Sequence, residues 1–208
     1  MPLDLWLAFV AASTALLLIP GPTILLVLSY ALSQGRRVAV ATATGVALGD
    51  LIAMTAALAG LGAIIAASAT AFTLLKWVGA AYLVYLGIQM LLSAPGRATL
   101  AQAPATEPRA ILRHAAIVTA LNPKGIGFFI AFVPQFISPA QPFAPQAAIL
   151  IATFVGLAAV NALAYALAAD LMRARIARPS VIRRLTQAGG ATLIAMGALT
   201  ATLRRTPG

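Results

Sequence analysis

Long apolar stretches dominate the chain and are separated by short polar segments. Five stretches without a charged residue run over 5–35, 51–75, 77–96, 125–169 and 185–203. A transmembrane helix needs about 20 consecutive apolar residues, and the longest of these stretches has room for more than one. The pattern predicts six transmembrane helices, at about 5–29, 39–62, 72–93, 113–137, 146–169 and 185–203. The predicted fold class is therefore an all-α integral membrane protein.

Proline motifs interrupt two of the predicted helices. Helix 1 contains Pro20–Pro22, and helix 4 contains Asn122–Lys124. Proline lacks an amide hydrogen and clashes with the carbonyl four residues before it, so both helices should break there. Within a bilayer, free backbone groups are tolerated only where protein buries them or where they line a polar cavity. The two breaks predict a ligand site; a plain proline kink without a role in binding is the alternative.

The two halves of the chain show a weak internal repeat. Helices 3 and 6 share leucine, glycine and alanine at the same spacing, and the two proline breaks correspond to each other. Gly45 and Asp50 in helix 2 match Gly156 and Asn161 in helix 5. Because three crossings is an odd number, the second half should be inverted, which gives two inverted repeats of three helices. The predicted parts of this one membrane domain are a first repeat, a cytoplasmic linker and a second repeat, over 1–94, 95–112 and 113–208.

Composition and charge agree with a membrane protein. Of the 208 residues, 62% are hydrophobic and 9% are charged, which lies far from the composition of a soluble domain. The formal net charge of +10 would suggest nucleic acid in a soluble protein, but here the positive-inside rule explains it. The segments around Arg36, Arg109 and Arg178 hold ten arginines, whereas only Arg204 and Arg205 follow helix 6. We predict that these three loops are cytoplasmic, that both termini lie outside, and that nucleic acid is not a partner.

The sequence contains no constellation typical of an enzyme. It has no cysteine and one histidine, so a thiolate metal site is excluded and few acid–base arrangements are open to it. There is no Ser, His and acid set and no glycine-rich phosphate loop. We therefore expect neither an enzyme nor a cofactor.

Asp50 and Lys124 are the ionisable residues well inside the predicted helices. Each costs roughly 2.5 to 3.5 kcal/mol at the bilayer centre on insertion scales, so a function is expected for both. Gly45 and Gly49 precede Asp50 and allow another helix to approach, which should direct the carboxylate into the bundle. A buried carboxyl that binds and releases a proton is what proton antiport requires, and Lys124 suits an anionic group such as an α-carboxylate. The alternative is an Asp50–Lys124 ion pair that only fixes packing.

Other polar and aromatic residues are assigned smaller roles. Asn161 occupies the position that matches Asp50, and Tyr165 lies one turn further on the same helix face. For Tyr165 a plain hydrogen bond to another helix is the preferred interpretation. His114 is expected to be a solvated loop residue, and Phe128 and Phe129 are expected in the core or against lipid.

These motifs together resemble the LysE/RhtB family of bacterial amino-acid exporters. The resemblance covers nearly the whole chain and is carried by Pro20–Pro22, Gly45 to Asp50, Lys76 to Gly87 and Leu121–Lys124. It implies a multi-pass protein of the bacterial inner membrane that exports lysine, arginine, threonine, homoserine or a similar compound by using the proton gradient. The implied partners are the amino acid, protons and the lipid bilayer, and homo-oligomerisation is left open. The predicted transport residues are Pro20, Gly21, Pro22, Asp50, Asn122, Pro123, Lys124 and, from the repeat alone, Asn161.

Two other functions are compatible with the pattern. A membrane scaffold or assembly protein would use the same polar residues to hold helices together, but it has no need of an inverted repeat with paired breaks. An exporter of another small solute, such as a metal cation, is disfavoured by a single acid in the membrane and by the absence of cysteine. Solute-dependent flux separates the transporter from the scaffold.

Overall fold

Each of two broken helices is followed along the chain by two continuous ones. The computed structural model describes residues 1–92, 107–138, 140–176 and 179–202. Within these ranges the chain forms eight α-helices and no strand. The helices are α1 (Leu3–Leu18), α2 (Pro22–Gln34), α3 (Ala39–Ala67), α4 (Ala69–Leu92), α5 (Pro108–Ala120), α6 (Pro123–Gly127), α7 (Phe143–Ile176) and α8 (Pro179–Thr202). A 3₁₀ turn, Arg36–Val38, precedes α3, while α6 continues as a π-helical turn, Phe128–Phe132, and a 3₁₀ turn, Val133–Phe136.

Both predicted helix breaks are confirmed. The axes of α1 and α2 differ by 55°, and α5 differs by 42° from the segment that runs from Pro123 to Phe136. Ile19 and Asn122, which directly precede prolines, have extended backbones with ψ of 114° and 113°, because proline disfavours the helical conformation of the residue before it. Pro22 and Pro123 then begin the next helices, where a proline loses no hydrogen bond.

The helices have the length and composition of membrane spans. In the described part of the chain, α3, α4 and α7 each suffice to cross a bilayer, and each bent pair may count as one further span, which gives up to five. Helix α8 is not among them, and glycine and threonine residues lower its hydropathy. The structure supports an all-helical, multi-pass membrane protein. The six-span count and the inverted repeat stay predictions.

Glycines bring α3 into direct contact with another helix, as predicted, and this helix is α5. A Cβ atom added to Gly45 would overlap the carbonyl oxygen of Leu112, and one added to Gly49 would lie 2.5 Å from the carbonyl oxygen of Ala116. A larger side chain at either position would therefore push the two backbones apart. Gly156, which matches Gly45 in the repeat, has no neighbour within 4 Å of its Cβ position. The two halves of the chain thus use their matching glycines differently.

Helix α8 packs closely along α4 through reciprocal glycine contacts. A Cβ atom on Gly87 would lie 2.6 Å from the carbonyl oxygen of Gly190, and one on Gly190 would lie 2.5 Å from that of Gly87. Gly197 approaches the carbonyl oxygen of Ala80 in the same way, at 2.8 Å. This backbone contact anchors the less apolar α8 in the bundle.

Several helices extend beyond the predicted spans. Helix α7 continues to Ile176, so Arg173 and Arg175, assigned to a loop, lie on a helix. Helix α5 already begins at Pro108, inside the predicted linker. Hydropathy detects the part of a helix that fits the bilayer, whereas a helix continues beyond it until a cap or proline ends it. The rest of the predicted linker, 95–106, together with Arg178 and the C-terminal arginines, lies outside the described residues, and the membrane orientation stays a prediction.

Candidate functional site

A small cavity, lined by polar and apolar residues, lies where the two helix breaks meet. Its volume of about 30 Å³ gives room for about two water molecules. Five of the eight predicted transport residues line it, namely Gly21, Asp50, Asn122, Lys124 and Asn161. Pro20, Pro22 and Pro123 do not line the cavity; they form the breaks that bring the lining residues together. The sequence therefore identified residues that the fold gathers, although their role in transport is untested.

Lys124 binds the end of helix α1. Its Nζ donates hydrogen bonds to the carbonyl oxygens of Leu16, at 3.1 Å, and Ile19, at 2.8 Å. The last carbonyls of a helix have no amide partner within that helix, and they carry the negative end of its dipole. The ammonium group therefore supplies both hydrogen bonds and a favourable charge at the point where the proline break leaves the backbone open. In this conformation its ligands are carbonyl oxygens.

Two further side chains bind the carbonyls that lie between Leu16 and Ile19. Asn161 Nδ2 donates to the carbonyl oxygen of Leu17 at 3.0 Å, and the hydroxyl of Tyr165 donates to that of Leu18 at 2.9 Å. Four consecutive carbonyls at the end of α1 are thus bound by side chains of α6 and α7. The hydrogen bond of Tyr165 to another helix agrees with the interpretation preferred from the sequence.

Asp50 projects from α3 into the same cavity and is only 6% exposed. Its carboxylate and the Lys124 ammonium interact electrostatically. Among the described residues, however, no ion pair joins the two groups, and the carboxylate accepts no hydrogen bond. The structural ion pair considered as an alternative is absent from this part of the chain. Asp50 is a buried acid with a nearby countercharge and free acceptor positions.

Two threonines that the sequence analysis did not single out connect the breaks. Asn122 Nδ2 donates to Thr23 Oγ1 at 3.0 Å, and the hydroxyl of Thr119 donates to the same oxygen at 3.4 Å. The Asn122 side chain also caps α6 by accepting a hydrogen bond from the Lys124 amide at 3.1 Å. All of these threonine and asparagine side chains are buried. In the sequence, Thr23 directly follows Pro22 and Thr119 lies one turn before Asn122. These positions beside the breaks could have indicated that the two threonines belong to the site.

His114 lies outside this cavity and differs from its expected loop position. It belongs to α5, and its Nδ1 is hydrogen-bonded to the hydroxyl of Tyr30 at 2.9 Å, with the two rings perpendicular. Tyr30 packs with Val38 and Ile111 in a small buried cluster beside the Arg36 turn. The expected loop position was wrong, because α5 begins six residues earlier, at Pro108, whereas the His114 side chain is exposed, as expected.

Phe128 and Phe129 lie in the core, with 0% and 1% of their surface exposed. We expected these rings in the core or against lipid, and the structure places them in the core. They pack against Phe154, which lines the cavity. One wall of the cavity is therefore continuous with the aromatic core.

The fold and the cavity define a class of protein. Helices interrupted within the membrane, with freed backbone groups and a few polar side chains around a central cavity, are typical of secondary transporters. A family model for LysE type translocators matches residues 14–203. The chain belongs to this family.

Relatives agree with this assignment. The chain is 36% identical over 205 residues to a homoserine/homoserine lactone efflux protein of Salmonella typhimurium, which covers 98% of this chain and 99% of the relative. It is 34% identical over 152 residues to a leucine efflux protein of Enterobacter sp. (strain 638), which covers 73% and 72%. A Vibrio cholerae protein described as an uncharacterized membrane protein is 37% identical over 206 residues, 98% of this chain and 100% of the relative. No solved structure matches the chain.

Proposed function

We propose that this protein exports a small neutral amino acid of the homoserine, threonine or leucine type from the cytoplasm in exchange for protons. The names of two relatives, a homoserine/homoserine lactone and a leucine efflux protein, support this class of substrate. The membrane would be the bacterial inner membrane, where a proton gradient is available. Of the two substrate types that the sequence resemblance implies, the threonine/homoserine type is preferred to the lysine/arginine type.

The charges around the cavity support a neutral substrate. Asp50 and Lys124 are the charged residues among those that line it, so the lining has no net charge. A zwitterionic amino acid keeps this balance when it binds. Lysine or arginine would add an unpaired cation to a buried site that already contains an ammonium group, which is unfavourable where water is excluded.

The unpaired carboxylate of Asp50 is the observation on which the mechanism rests. Ionised, it can accept hydrogen bonds from the α-ammonium group of the substrate. When the carboxyl group is protonated, the cavity no longer attracts an ammonium group, and the substrate is released. Because no described residue is hydrogen-bonded to the carboxylate, either exchange can occur without breaking a bond within the protein. Alternate occupation of one acid by substrate and proton gives antiport.

The cavity as it stands is closed around too little space for an amino acid. The cavity volume of about 30 Å³ holds about two water molecules, each with a single heavy atom. Every amino acid has more heavy atoms than that. Substrate binding therefore requires the breaks to open. This opening would separate the segments on the two sides of the cavity. The hydrogen bonds that join these segments are those at the end of α1 and the one between Thr23 and Asn122.

The test is transport by the purified full chain in liposomes. We expect counterflow of labelled homoserine, threonine or leucine, faster than that of lysine, and accumulation driven by an imposed pH gradient. Asp50→Asn keeps the size of the side chain and removes its ionisation, so gradient-driven accumulation should be lost while a fraction of the exchange is retained. Accumulation by Asp50→Asn at the rate of the natural chain would exclude Asp50 as the coupling residue. Absence of flux with every amino acid would exclude the proposed export and favour the scaffold.

A further inference from the structure

Six phenylalanine rings form a continuous cluster on one side of the cavity. Neighbouring ring centroids lie 4.9 to 6.4 Å apart, and no ring is more than 7% exposed. Such spacings are those of favourable aromatic pairs. This phenylalanine cluster consists of Phe9, Phe128, Phe129, Phe132, Phe136 and Phe154.

The phenylalanine cluster extends from the cavity towards one end of the helix bundle. Phe154 lines the cavity, and its ring lies 4.9 Å from Phe129 and 5.7 Å from Phe128. Phe128 is the central member, since its centroid lies within 6.4 Å of those of Phe9, Phe129, Phe132 and Phe154. The cluster ends at Phe136, the last residue before the connection to α7. An unbroken series of ring contacts therefore connects the cavity wall with that end of the bundle.

This end can be identified from a terminal contact. The amino group of Met1 donates to Gln141 Oε1 at 2.6 Å, so the start of α1 and the connection before α7 lie together. We call this end the Met1 side. The opposite end, with the Arg36 turn and the start of α5, is covered by the smaller cluster of Tyr30, Val38 and Ile111.

The backbone that carries half of the rings is irregular. Phe128, Phe129 and Phe132 lie in the π-helical turn Phe128–Phe132, and a 3₁₀ turn follows directly. A π-helical turn within an α-helix is rare and often occurs at functional sites, because it leaves the local hydrogen-bond register unsettled. The segment also follows Gly125 and Gly127, which have no side chains to fix it. The rings are therefore attached to an irregular part of the helix.

We infer that the phenylalanine cluster is the gate that closes the cavity on the Met1 side. An apolar constriction excludes water and solutes until its rings separate. Phe154 joins the gate to the cavity wall, and the π-helical turn supplies the movement that separates the rings. The inference rests on the proposed function in one respect only, that the solute passing the gate is the exported amino acid.

The absence of cysteine from the natural chain allows a direct test. Ala158→Cys places one thiol in the cavity lining, at a position that is 1% exposed. Its reaction with a membrane-impermeant thiol reagent is measured in intact cells and in inverted membrane vesicles. Gln141→Cys, on the exposed connection of the Met1 side, identifies which preparation presents that side.

We expect slow reaction of Ala158→Cys from the Met1 side. Adding Phe128→Ala should raise the rate at least about tenfold from that side alone, because the labelling rate follows the population of the open form. Phe143→Ala is the control. Phe143 lies at the start of α7 and packs against Gly62 and the same hydrophobic core, but among the described residues it pairs with none of the six rings. It should leave the rate unchanged.

A milder variant covers the case in which Phe128→Ala does not fold. Phe128→Leu keeps an apolar side chain and should raise the rate about threefold, with folding checked by gel filtration. Unchanged labelling in the folded variants, an increase from the opposite side, or an equal increase in Phe143→Ala would each overturn the gate. Cluster-dependent labelling without amino-acid flux would retain the gate and reject the proposed substrate. Flux with unchanged labelling would reject the gate alone.

Discussion

The binding of Lys124 to the end of α1 leads to a quantitative prediction for Lys124→Met. Methionine keeps the apolar stem but removes both hydrogen bonds to the carbonyls of Leu16 and Ile19. Hydrogen bonds to charged groups are worth about 1.5 to 3 kcal/mol each. Part of this is offset, because removing the ammonium group also removes the cost of burying it. We expect a net loss of about 2 to 4 kcal/mol in the free energy of unfolding, or about 4 to 16 °C in Tm.

The assay is thermal unfolding of the purified full chain in detergent, followed by loss of the monodisperse gel-filtration peak. Lys76→Met is the matched control, since Lys76 is the chain's other lysine and lies at the start of α4, outside the cavity. It should shift the apparent Tm by less than half as much. A double-mutant cycle with Asp50→Asn then measures how much of the effect of Lys124 depends on Asp50 and how much on the carbonyls of α1. If the electrostatic attraction to Asp50 matters, the double variant loses less than the sum of the single losses.

An apparent Tm of Lys124→Met equal to that of the natural chain would refute the reasoning. Such a result would mean that the carbonyls of Leu16 and Ile19 are equally well satisfied by water in the cavity. A raised Tm would mean that burial of the ammonium group costs more than its hydrogen bonds return, as happens for some buried charges.

Two further predictions concern orientation and the first break. A single cysteine at Ser138 should react with an impermeant thiol reagent in intact cells and one at Arg109 should not, because positive loops remain in the cytoplasm; the reverse pattern would invert the topology. Replacing Pro20 and Pro22 by alanine should abolish transport without loss of folding, since the new amide at residue 20 can bind the Leu16 carbonyl in place of Lys124. Normal flux in that variant would reduce the break to a plain kink.

The breaks were predictable from sequence because the effect of proline is local. A proline constrains its own φ and the conformation of the preceding residue, whatever the rest of the chain does. The close approach of Gly49 to α5 was predictable for a similar reason, since only a position without a side chain permits it. The gathering of Asp50 and Asn161 was expected from their matching positions in the weak sequence repeat.

The partners within the cavity were not predictable in this way. The sequence displays Asp50 and Lys124 as opposite charges in an apolar chain, and that invites an ion pair. It does not display the carbonyl groups that the break leaves free, yet these are the groups that Lys124 binds. Thr23 and Thr119 were missed because threonines in a membrane helix usually bind their own backbone, and only the approach of α2 to α5 makes these two meet.

Helix α1 connects the carbonyl end at the cavity with the phenylalanine cluster on the Met1 side. Phe9 and Leu16 lie on the same continuous helix, seven residues apart, which corresponds to about 10 Å along its axis. A helix of this length moves nearly as a rigid body. A displacement of α1 along its axis, or a rotation about a point away from its C-terminal end, that withdraws Phe9 from Phe128 would therefore also displace the carbonyls of Leu16–Leu18 from their side-chain partners. In the proposed mechanism, opening towards the Met1 side and release of Lys124 from α1 would then be one movement.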